Sequence, residues 1–313
     1  MDKKILKSKF IGALVGTGVG DAVGAGFEGW RTAEPEMIQA AASSREVLMY
    51  TDDTHMMIGM AESLVAREGF DGEHMALTFM RNYEREPWRG YGPGPPRIFR
   101  MIRAGEAWDK AAEKIYPGGS FGNGSAMRII PIGVFYHDDL AMLKDVAYKS
   151  SQITHSHELG KEGAALQACA VALAVSLEPA ATFDPQEFLT KLGRFVQHEV
   201  YKQKLEKIGK LLSKTDRARV VAELGNGIEA FNSVPTAIYS FLSHPDSFEE
   251  AILFAVSLGG DTDTIAAMTG AISGAYLGVE SIPDKWRNKL ENRLYIEELA
   301  KKLYEGSGFK SNK

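Results

Sequence analysis

The sequence has little cysteine, and this scarcity excludes several kinds of site. Its single cysteine, Cys169, lies in an apolar stretch of a 313-residue chain. One cysteine rules out an internal disulfide and a thiolate metal cluster. Because free cysteine is among the most buried residue types, we expect Cys169 to be an inert core thiol. This usage fits a reducing compartment, so we expect a cytoplasmic protein.

The sequence also lacks an excess of basic residues. Lysine and arginine total 36 against 41 aspartates and glutamates, which gives a formal net charge of -5. Affinity for bare nucleic acid requires a basic face that releases counterions, so direct nucleic-acid binding is not expected. An anionic ligand would instead have to be held by backbone amides and metal ions.

No strongly apolar run is long enough to predict a membrane-spanning helix. A basic MDKKILKSK segment precedes the apolar FIGALVGTGVG, which together have the outline of a signal peptide. Glycines crowd this stretch, however, and it continues through Asp21 into GDAVGAGFEG. A membrane span needs about 20 strongly apolar residues, so we predict neither a span nor a signal peptide.

Low-complexity linkers, blocks of like charge and repeats of fixed period are absent from the sequence. We therefore predict one domain over residues 1–313. Apolar residues recur at intervals of three and four, which predicts an all-α fold. Pro235 suits the first turn of a helix, and only Glu46–Tyr50 resembles a strand. The predicted helices are Phe10–Gly26, Asp53–Arg67, Gly72–Glu84, Asp139–Gln152, Lys161–Leu177, Asp184–Phe195, Val200–Leu212, Pro235–Leu242, Ser247–Leu258, Thr262–Leu277 and Asp284–Tyr304.

Two stripes of glycine stand near opposite ends of the chain. Glycine is unfavourable inside a helix unless another backbone packs tightly against that face. The stripes therefore predict that the first helix and a late helix approach each other closely. They consist of Gly12, Gly16, Gly20 and Gly24, and of Gly270, Gly274 and Gly278.

Two acidic motifs each open a predicted helix: TDDT (residues 51–54) and GGDTDT (residues 259–264). One interpretation is N-capping, since Asp and Thr accept hydrogen bonds from free amides at a helix start. A single cap needs only one side chain, however, and adjacent carboxylates repel each other. The alternative is a site for hard cations, because oxygen-only ligands favour Mg²⁺, with Mn²⁺ or Ca²⁺ possible. Two ions would share a bridging carboxylate, for which Asp52 or Asp263 could serve.

Two further acids lie where the first glycine stripe ends. Asp21 falls on an apolar face, where an ionised acid requires partners, so we favour a buried carboxylate bonded to backbone amides. Glu28 follows a glycine turn. It is either a solvated loop acid or a side chain able to reach a metal or a sugar hydroxyl.

Two glycine-rich loops and a histidine are candidate ligand contacts. Free amides of the loop Gly118–Arg128 could cradle a diphosphate, although a structural turn explains the glycines equally well. Phe121 has little core to fill there, so it could stack on a base. The loop Arg89–Gly94 has the same two interpretations. His155 is either part of a helix-capping segment or a donor to a phosphate or ribose hydroxyl.

Taken together, these motifs resemble the ADP-ribosylglycohydrolase family. The resemblance rests on GDAVGAGFEG, YTDDT, GSFGNGSAMR, QITHSH, LGNGIEAFNSVPTAIYSFL and SLGGDTDTIAAMTGAISGAYLG, in that order. It is strongest to the branch that acts on serine-linked ADP-ribose, poly(ADP-ribose) and O-acetyl-ADP-ribose. It implies an all-α orthogonal bundle with two Mg²⁺ ions in a cleft, and ADP-ribose-bearing proteins or ADP-ribose polymer as partners. We expect a monomer.

The resemblance also implies roles for individual residues. Glu28 corresponds to the mobile catalytic glutamate of that branch. The implied metal ligands are Thr51, Asp52, Asp53, Asp261, Asp263 and Thr264. The candidate substrate contacts are Gly90, Gly92, Gly119, Ser120, Phe121, Gly122, Asn123 and His155. Phe121 stands where relatives often carry tyrosine, and the run PGPP at residues 93–96 departs from the family pattern, which leaves the leaving-group side undefined.

Other functions remain open at the level of sequence. The same family contains hydrolases for arginine-linked ADP-ribose. A Mg²⁺-dependent phosphoester or diphosphate hydrolase would use similar acidic motifs. A non-catalytic ADP-ribose-binding or structural relative is the third alternative.

Overall fold

The fold is built from α-helices joined by short loops. The structure, a computed structural model, describes residues 1–178, 183–212 and 216–307, and these ranges contain no strand. The first helices are α1 (Lys3–Gly24), α2 (Pro35–Ser44), α3 (Asp52–Arg67), α4 (Gly72–Arg85), α5 (Gly94–Arg103), α6 (Ala111–Ile115), α7 (Ile130–Phe135), α8 (Leu140–Ser151) and α9 (Glu158–Ser176). The remaining helices are α10 (Pro185–Phe195), α11 (Glu199–Leu211), α12 (Arg217–Leu224), α13 (Ala230–Ser243), α14 (Phe248–Ser257), α15 (Thr262–Leu277), α16 (Asp284–Arg287) and α17 (Arg293–Ser307).

The all-α prediction is confirmed, but several local predictions are wrong. Pro235 lies inside α13, which begins five residues earlier at Ala230. The final predicted helix is interrupted between α16 and α17, where Asn292 adopts a positive φ of 51°. The segment Glu46–Tyr50 forms only an isolated bridge, between Leu48 and Leu290.

Helix α1 packs directly against α15, as the glycine stripes predict. A Cβ on Gly12 would overlap the carbonyl oxygen of Gly274, and one on Gly16 would overlap that of Gly270. At the end of the pair, the Thr262 hydroxyl donates to the Gly24 carbonyl over 2.9 Å. The C-terminal end of α1 therefore lies against the N-terminal end of α15, which holds the GGDTDT motif.

The burial of α1 explains its apolar composition. The segment Lys3–Phe27 is long and apolar enough to cross a membrane by length and composition. However, 89% of its most apolar stretch is buried inside the fold. Other helices also cover α1, since it packs against α3 and α17 as well as α15. Its apolar residues are thus accounted for by core packing.

Asp21 attaches α3 to α1. Its carboxylate is fully buried and accepts hydrogen bonds from the Thr51 amide at 3.0 Å, the Thr54 amide at 3.0 Å and the Thr54 hydroxyl at 2.6 Å. The expectation of a buried acid bonded to backbone amides is confirmed. These bonds place the TDDT motif beside the end of α1, and hence beside the GGDTDT motif.

Candidate active site

The acidic motifs and the glycine loops meet at one cavity of about 430 Å³. The cavity is lined by most of the residues that the sequence singled out and by several that it did not. The predicted residues in its wall are Glu28, Thr51, Asp52, Asp53, Gly90, Gly92, Ser120, Gly122, Asn123, His155, Asp261, Asp263 and Thr264. The others are Met56, Pro93, Gly94, Pro95, Tyr116, Gly124, Met127, Arg128, Thr154 and Ile228.

In the TDDT motif, the threonine, and neither aspartate, caps α3. The Thr51 hydroxyl accepts from the Asp53 amide over 3.3 Å, so one side chain satisfies the cap. The Asp53 side chain is buried, and its Oδ2 has no hydrogen-bond partner among the residues that the structure describes. An unpartnered buried carboxylate oxygen is costly unless a cation meets it. N-capping therefore does not account for Asp52 and Asp53.

The GGDTDT motif likewise contains carboxylates that helix capping does not use. Gly259 and Gly260 have positive φ angles of 69° and 75°, which produce the sharp turn into α15. Asp261 occupies the N-cap position but its side chain makes no capping hydrogen bond. Asp263 is 6% exposed, and its Oδ1 has no hydrogen-bond partner within the described part of the chain. Capping is excluded as the role of these two side chains.

Glu28, in the loop that follows α1, adds its carboxylate to those of Asp261 and Asp263. Its side chain is exposed, and one carboxylate oxygen of each of Glu28, Asp261 and Asp263 lies within 4.8 Å of the others. Backbone bonds hold this loop in place: the Gly29 amide donates to the Gly260 carbonyl at 2.8 Å, and the Gly260 amide donates to the Trp30 carbonyl at 2.9 Å. The loop of Glu28 is therefore paired with the turn that carries Asp261.

Mutual repulsion and burial raise the pKa values of the clustered aspartates. Burial first, and then the charge on Asp261, raise the pKa of Asp263 to about 9. Burial and the charge on Asp21 raise the pKa of Asp52 to about 7. Burial and the charge on Asp263 raise the pKa of Asp53 well above its ordinary value. Divalent cations would reverse both effects, so the donor set and the unpartnered oxygens fit a hard metal ion.

The glycine loop at residues 118–128 forms a second wall. Ser120, Gly122 and Asn123 line the cavity, whereas Gly119 and Phe121 do not. Gly119 has a φ of 84° and packs against the Ser156–His157 backbone. Phe121 is 45% exposed at the rim, with its ring centroid 5.9 Å from that of Phe231.

His155 packs against this loop and is held in place by Thr154 and by the loop backbone at Gly124. Its Nδ1 shares a 2.8 Å hydrogen bond with the Thr154 hydroxyl. A Cβ on Gly124 would come within 2.9 Å of His155 Nε2, so only glycine lets the loop pass this close to the ring. Burial, and secondarily the charge on Arg128, lower the pKa of His155 to about 3. The imidazole is therefore neutral and suits hydrogen bonding more than proton transfer at neutral pH.

The loop with Gly90 and Gly92 is anchored by a buried arginine. Arg89 donates to both carboxylate oxygens of Glu291, at 2.6 and 2.9 Å, and to the Tyr50 carbonyl at 3.1 Å. Gly90 adopts a φ of 88°, and a Cβ there would lie 3.7 Å from Asp52 Oδ1. Arg89 thus joins this loop to the residue that precedes the TDDT motif.

Sequence reasoning missed several wall residues for identifiable reasons. Met56 lies one helical turn after Asp52, so its place on that face of α3 could have been predicted from the period. Arg128 and Ile228 belong to segments that were singled out as motifs without individual roles. No sequence signal marks Tyr116, which reaches the cavity through its contact with Gly94.

The arrangement combines four chemical capacities. Clustered oxygen donors can hold divalent cations, and backbone amides of the glycine loops can bind an anionic group. An exposed carboxylate, that of Glu28, stands at the edge of the cation-binding group and can donate or accept a proton. A neutral histidine and hydroxyls such as that of Ser120 add polar contacts for a sugar or phosphate.

Comparisons with known proteins agree on the family. The sequence profile described as ADP-ribosylglycohydrolase matches residues 2–312. ADP-ribosylhydrolase ARH3 of Bos taurus is 38% identical, covering 95% of this chain and 92% of the relative. The Homo sapiens protein of the same name is 36% identical, covering 95% and 93%. ADP-ribosylarginine hydrolase Tri1 of Pseudomonas putida is 26% identical, covering 94% and 77%.

A solved structure gives the same result for the fold. A protein described as an ADP-ribosylglycohydrolase-related protein complex superimposes with a TM-score of 0.77 and 27% identity, covering 97% of this chain and 99% of its own.

Proposed function

The chain belongs to the ADP-ribosylglycohydrolase family and is a hydrolase of ADP-ribosyl glycosidic bonds; we propose that it is Mg²⁺-dependent and cleaves O-linked ADP-ribose. Its substrates in this proposal are serine-linked ADP-ribose on proteins, poly(ADP-ribose) and O-acetyl-ADP-ribose, and ADP-ribose is the product. The order of motifs along the chain supports this O-linked branch. The ARH3 proteins, at 36–38% identity, resemble the chain more than the arginine hydrolase does at 26%.

The observation that carries the proposal is the position of the unpartnered carboxylate oxygens. Asp53 Oδ2 and Asp263 Oδ1 are both buried without a hydrogen-bond partner in residues 1–178, 183–212 and 216–307, and both residues line the same cavity. They come from motifs some 200 residues apart, which the α1–α15 packing and Asp21 bring together. Such an arrangement is costly for folding alone, so it points to cations as the missing partners.

The residues present suit two Mg²⁺ ions, with Mn²⁺ as an alternative. The ligands would be Thr51, Asp52, Asp53, Asp261, Asp263 and Thr264. Bound Mg²⁺ would polarise ribose hydroxyls and a water molecule. The carboxylates would hold the sugar close to Glu28, because one carboxylate oxygen of Glu28 lies within 4.8 Å of those of Asp261 and Asp263 in the same cavity.

Glu28 is the residue to which the proposal gives a role at the scissile bond. Hydrolysis breaks the bond from the anomeric carbon to the linking oxygen and forms one to a water oxygen, while a proton reaches the leaving oxygen. Glu28 is the exposed member of the acidic group, so its carboxylate can exchange protons with solvent and with the leaving oxygen. We assign it the role of acid catalyst or of ligand to a ribose hydroxyl.

The other walls would hold the rest of ADP-ribose. Ser120, Gly122 and Asn123 line the cavity together with the acidic residues, and there they would contact the diphosphate and ribose. The exposed ring of Phe121 at the rim would stack on the adenine, and Phe231 supports it from behind. His155, neutral and behind the loop, would donate to the phosphate side.

The direct test is a comparison of linkages. Purified protein is incubated with serine-linked, arginine-linked and polymeric ADP-ribose, each with Mg²⁺ and with EDTA, and free ADP-ribose is quantified. We expect release from the serine-linked and polymeric substrates only when Mg²⁺ is present. Release from the arginine linkage alone would place the chain in the other branch, and AMP or phosphate as product would contradict the proposal entirely.

A further inference from the structure

The Asn123 side chain joins the glycine loop to the second acidic motif. Its Nδ2 donates to Asp261 Oδ2 over 2.6 Å and to Ser233 Oγ over 3.1 Å. Asn123 and Asp261 line the cavity, whereas Ser233 lies outside its wall and is fully buried. We propose that Ser233 is a positioning residue, which orients the Asn123 amide toward Asp261 and so sets the cation affinity of the site. This inference rests on the proposed metal-dependent function.

The direction of each hydrogen bond gives Ser233 this role. Its hydroxyl donates to the Glu229 carbonyl over 3.2 Å, in the first turn of α13. With its only proton used, the oxygen presents lone pairs to Asn123. A flipped Asn123 amide would turn its own oxygen toward those lone pairs and toward the Asp261 carboxylate. Ser233 therefore favours the orientation in which the amide donates to Asp261.

Asn123 is the main side-chain donor to Asp261, and the Thr264 hydroxyl is a second one. The side chain makes no capping bond to α15, although Asp261 stands at the N-cap. The bond from Asn123 is buried and involves a carboxylate, which makes it stronger than a neutral hydrogen bond. The bond from Asn123 uses one lone pair of Asp261 Oδ2, so it determines which of the remaining lone pairs face the cavity.

The backbones of both residues are held separately from Ser233. The Asn123 amide donates to the Ile228 carbonyl, and the Asp261 amide donates to the Asn226 carbonyl, each over 2.9 Å. Removal of the Ser233 hydroxyl therefore leaves both residues in place. What it releases is the rotation of the Asn123 side-chain amide, and with it the orientation of Asp261.

Partners that orient a metal ligand from behind typically change metal affinity by about 10–100-fold when they are removed. We expect Ser233→Ala to raise the Kd for Mg²⁺ about tenfold, by the same reasoning. The measurement is titration of Mg²⁺ alone into the metal-free full-length protein, followed by isothermal calorimetry. No substrate is needed, so binding is separated from turnover.

Ser240→Ala is the matched control. Ser240 lies on the same helix, is fully buried, and donates to the carbonyl four residues earlier, that of Thr236, over 2.8 Å. Both variants lose an equivalent bond to the carbonyl four residues earlier, so the comparison isolates the contact of Ser233 with Asn123. Only Ser233→Ala should weaken Mg²⁺ binding.

A double-mutant cycle with Asn123→Ala tests whether the effect passes through the amide. If it does, Asn123→Ala alone weakens Mg²⁺ binding, and adding Ser233→Ala causes no further loss. An unchanged Kd in Ser233→Ala would overturn the inference, and so would an equal effect in Ser240→Ala or full additivity in the cycle. Failure of the wild-type protein to bind Mg²⁺ would instead refute the proposed metal site itself.

Discussion

The Asp21 carboxylate accepts a 2.6 Å hydrogen bond from the Thr54 hydroxyl and so connects α1 to the first turn of α3. The same carboxylate accepts from the Thr51 and Thr54 amides. Asp21 is fully buried and does not line the cavity. It therefore supports the TDDT motif without being placed to touch a ligand.

Asp21→Asn should destabilise the protein by about 2 kcal/mol, because the new amide presents N–H groups to donors and leaves them unsatisfied. Urea denaturation in EDTA measures this loss. Asp145→Asn is the control, since Asp145 is a half-exposed surface carboxylate paired with Lys149. Equal stability of the two variants would show that Asp21 does not organise this region.

Glu28→Gln should retain binding of ADP-ribose but lose turnover by about a hundredfold or more, as expected when a positioned proton donor is removed. Calorimetry with ADP-ribose and a release assay with a serine-linked peptide separate the two properties. Glu34→Gln is the control, because Glu34 is an exposed acid in the following segment and pairs with Arg217. Near-normal turnover by Glu28→Gln would remove Glu28 from the mechanism.

Gly16→Ala should destabilise the protein by about 3 kcal/mol or more, since the added methyl group would meet the backbone of Gly270 rather than a movable side chain. Gly193→Ala should do the opposite, because a Cβ there meets nothing within 4 Å and Gly193 lies inside α10. Its expected gain is up to about 1 kcal/mol. Thermal unfolding of both variants checks the sign as well as the size.

Removal of divalent cations should abolish activity and lower the melting temperature, because a ligand that binds only the folded state stabilises it. EDTA followed by excess Mg²⁺ should reverse both changes. In Asp53→Asn the Mg²⁺-induced rise in melting temperature should be much smaller than in the wild type. A wild-type melting temperature that does not respond to Mg²⁺ would contradict the proposed site.

His155 should make the fold sensitive to acid. Its pKa is lowered from 6.5 to about 3, so the folded protein holds it neutral where the unfolded chain would protonate it. Above pH 6.5 His155 is neutral in both states, so it does not reduce the free energy of unfolding. As the pH falls from 6.5 toward 3, the free energy of unfolding decreases, because only the unfolded chain takes up the proton. His155→Asn should therefore shift the midpoint of acid unfolding, measured by circular dichroism, to lower pH. A midpoint that does not move would show that His155 is solvated in the folded state.

The fold class and the α1–α15 contact could be predicted because they follow from local pattern. Helical periodicity marks buried faces, and a glycine every four residues has few explanations other than close backbone packing. Short helices were harder to predict. The helix α5 begins within a glycine- and proline-rich loop at Gly94, where composition suggests irregular structure, and Pro95 fits because early helical positions need no amide bond.

The residues that line the site could be predicted more readily than the residues that hold them in position. Acidic motifs at helix starts are visible in sequence, but the contacts of Asn123 with Asp261 and Ser233 span 138 and 110 residues. No local rule relates such distant positions. For the same reason Arg89 was assigned only to a loop, although it joins Tyr50 and Glu291 across the fold.

The pairing of α1 with α15 has a consequence for how the protein is made. During synthesis the ribosome delivers Glu28 and the TDDT motif early, and the GGDTDT motif emerges only after most of the chain has been translated. A nascent chain halted before residue 259 would contain α1 without α15, and Glu28 and the TDDT motif without the GGDTDT motif. Binding of the proposed cations would therefore require that α15 has been translated and has packed against α1.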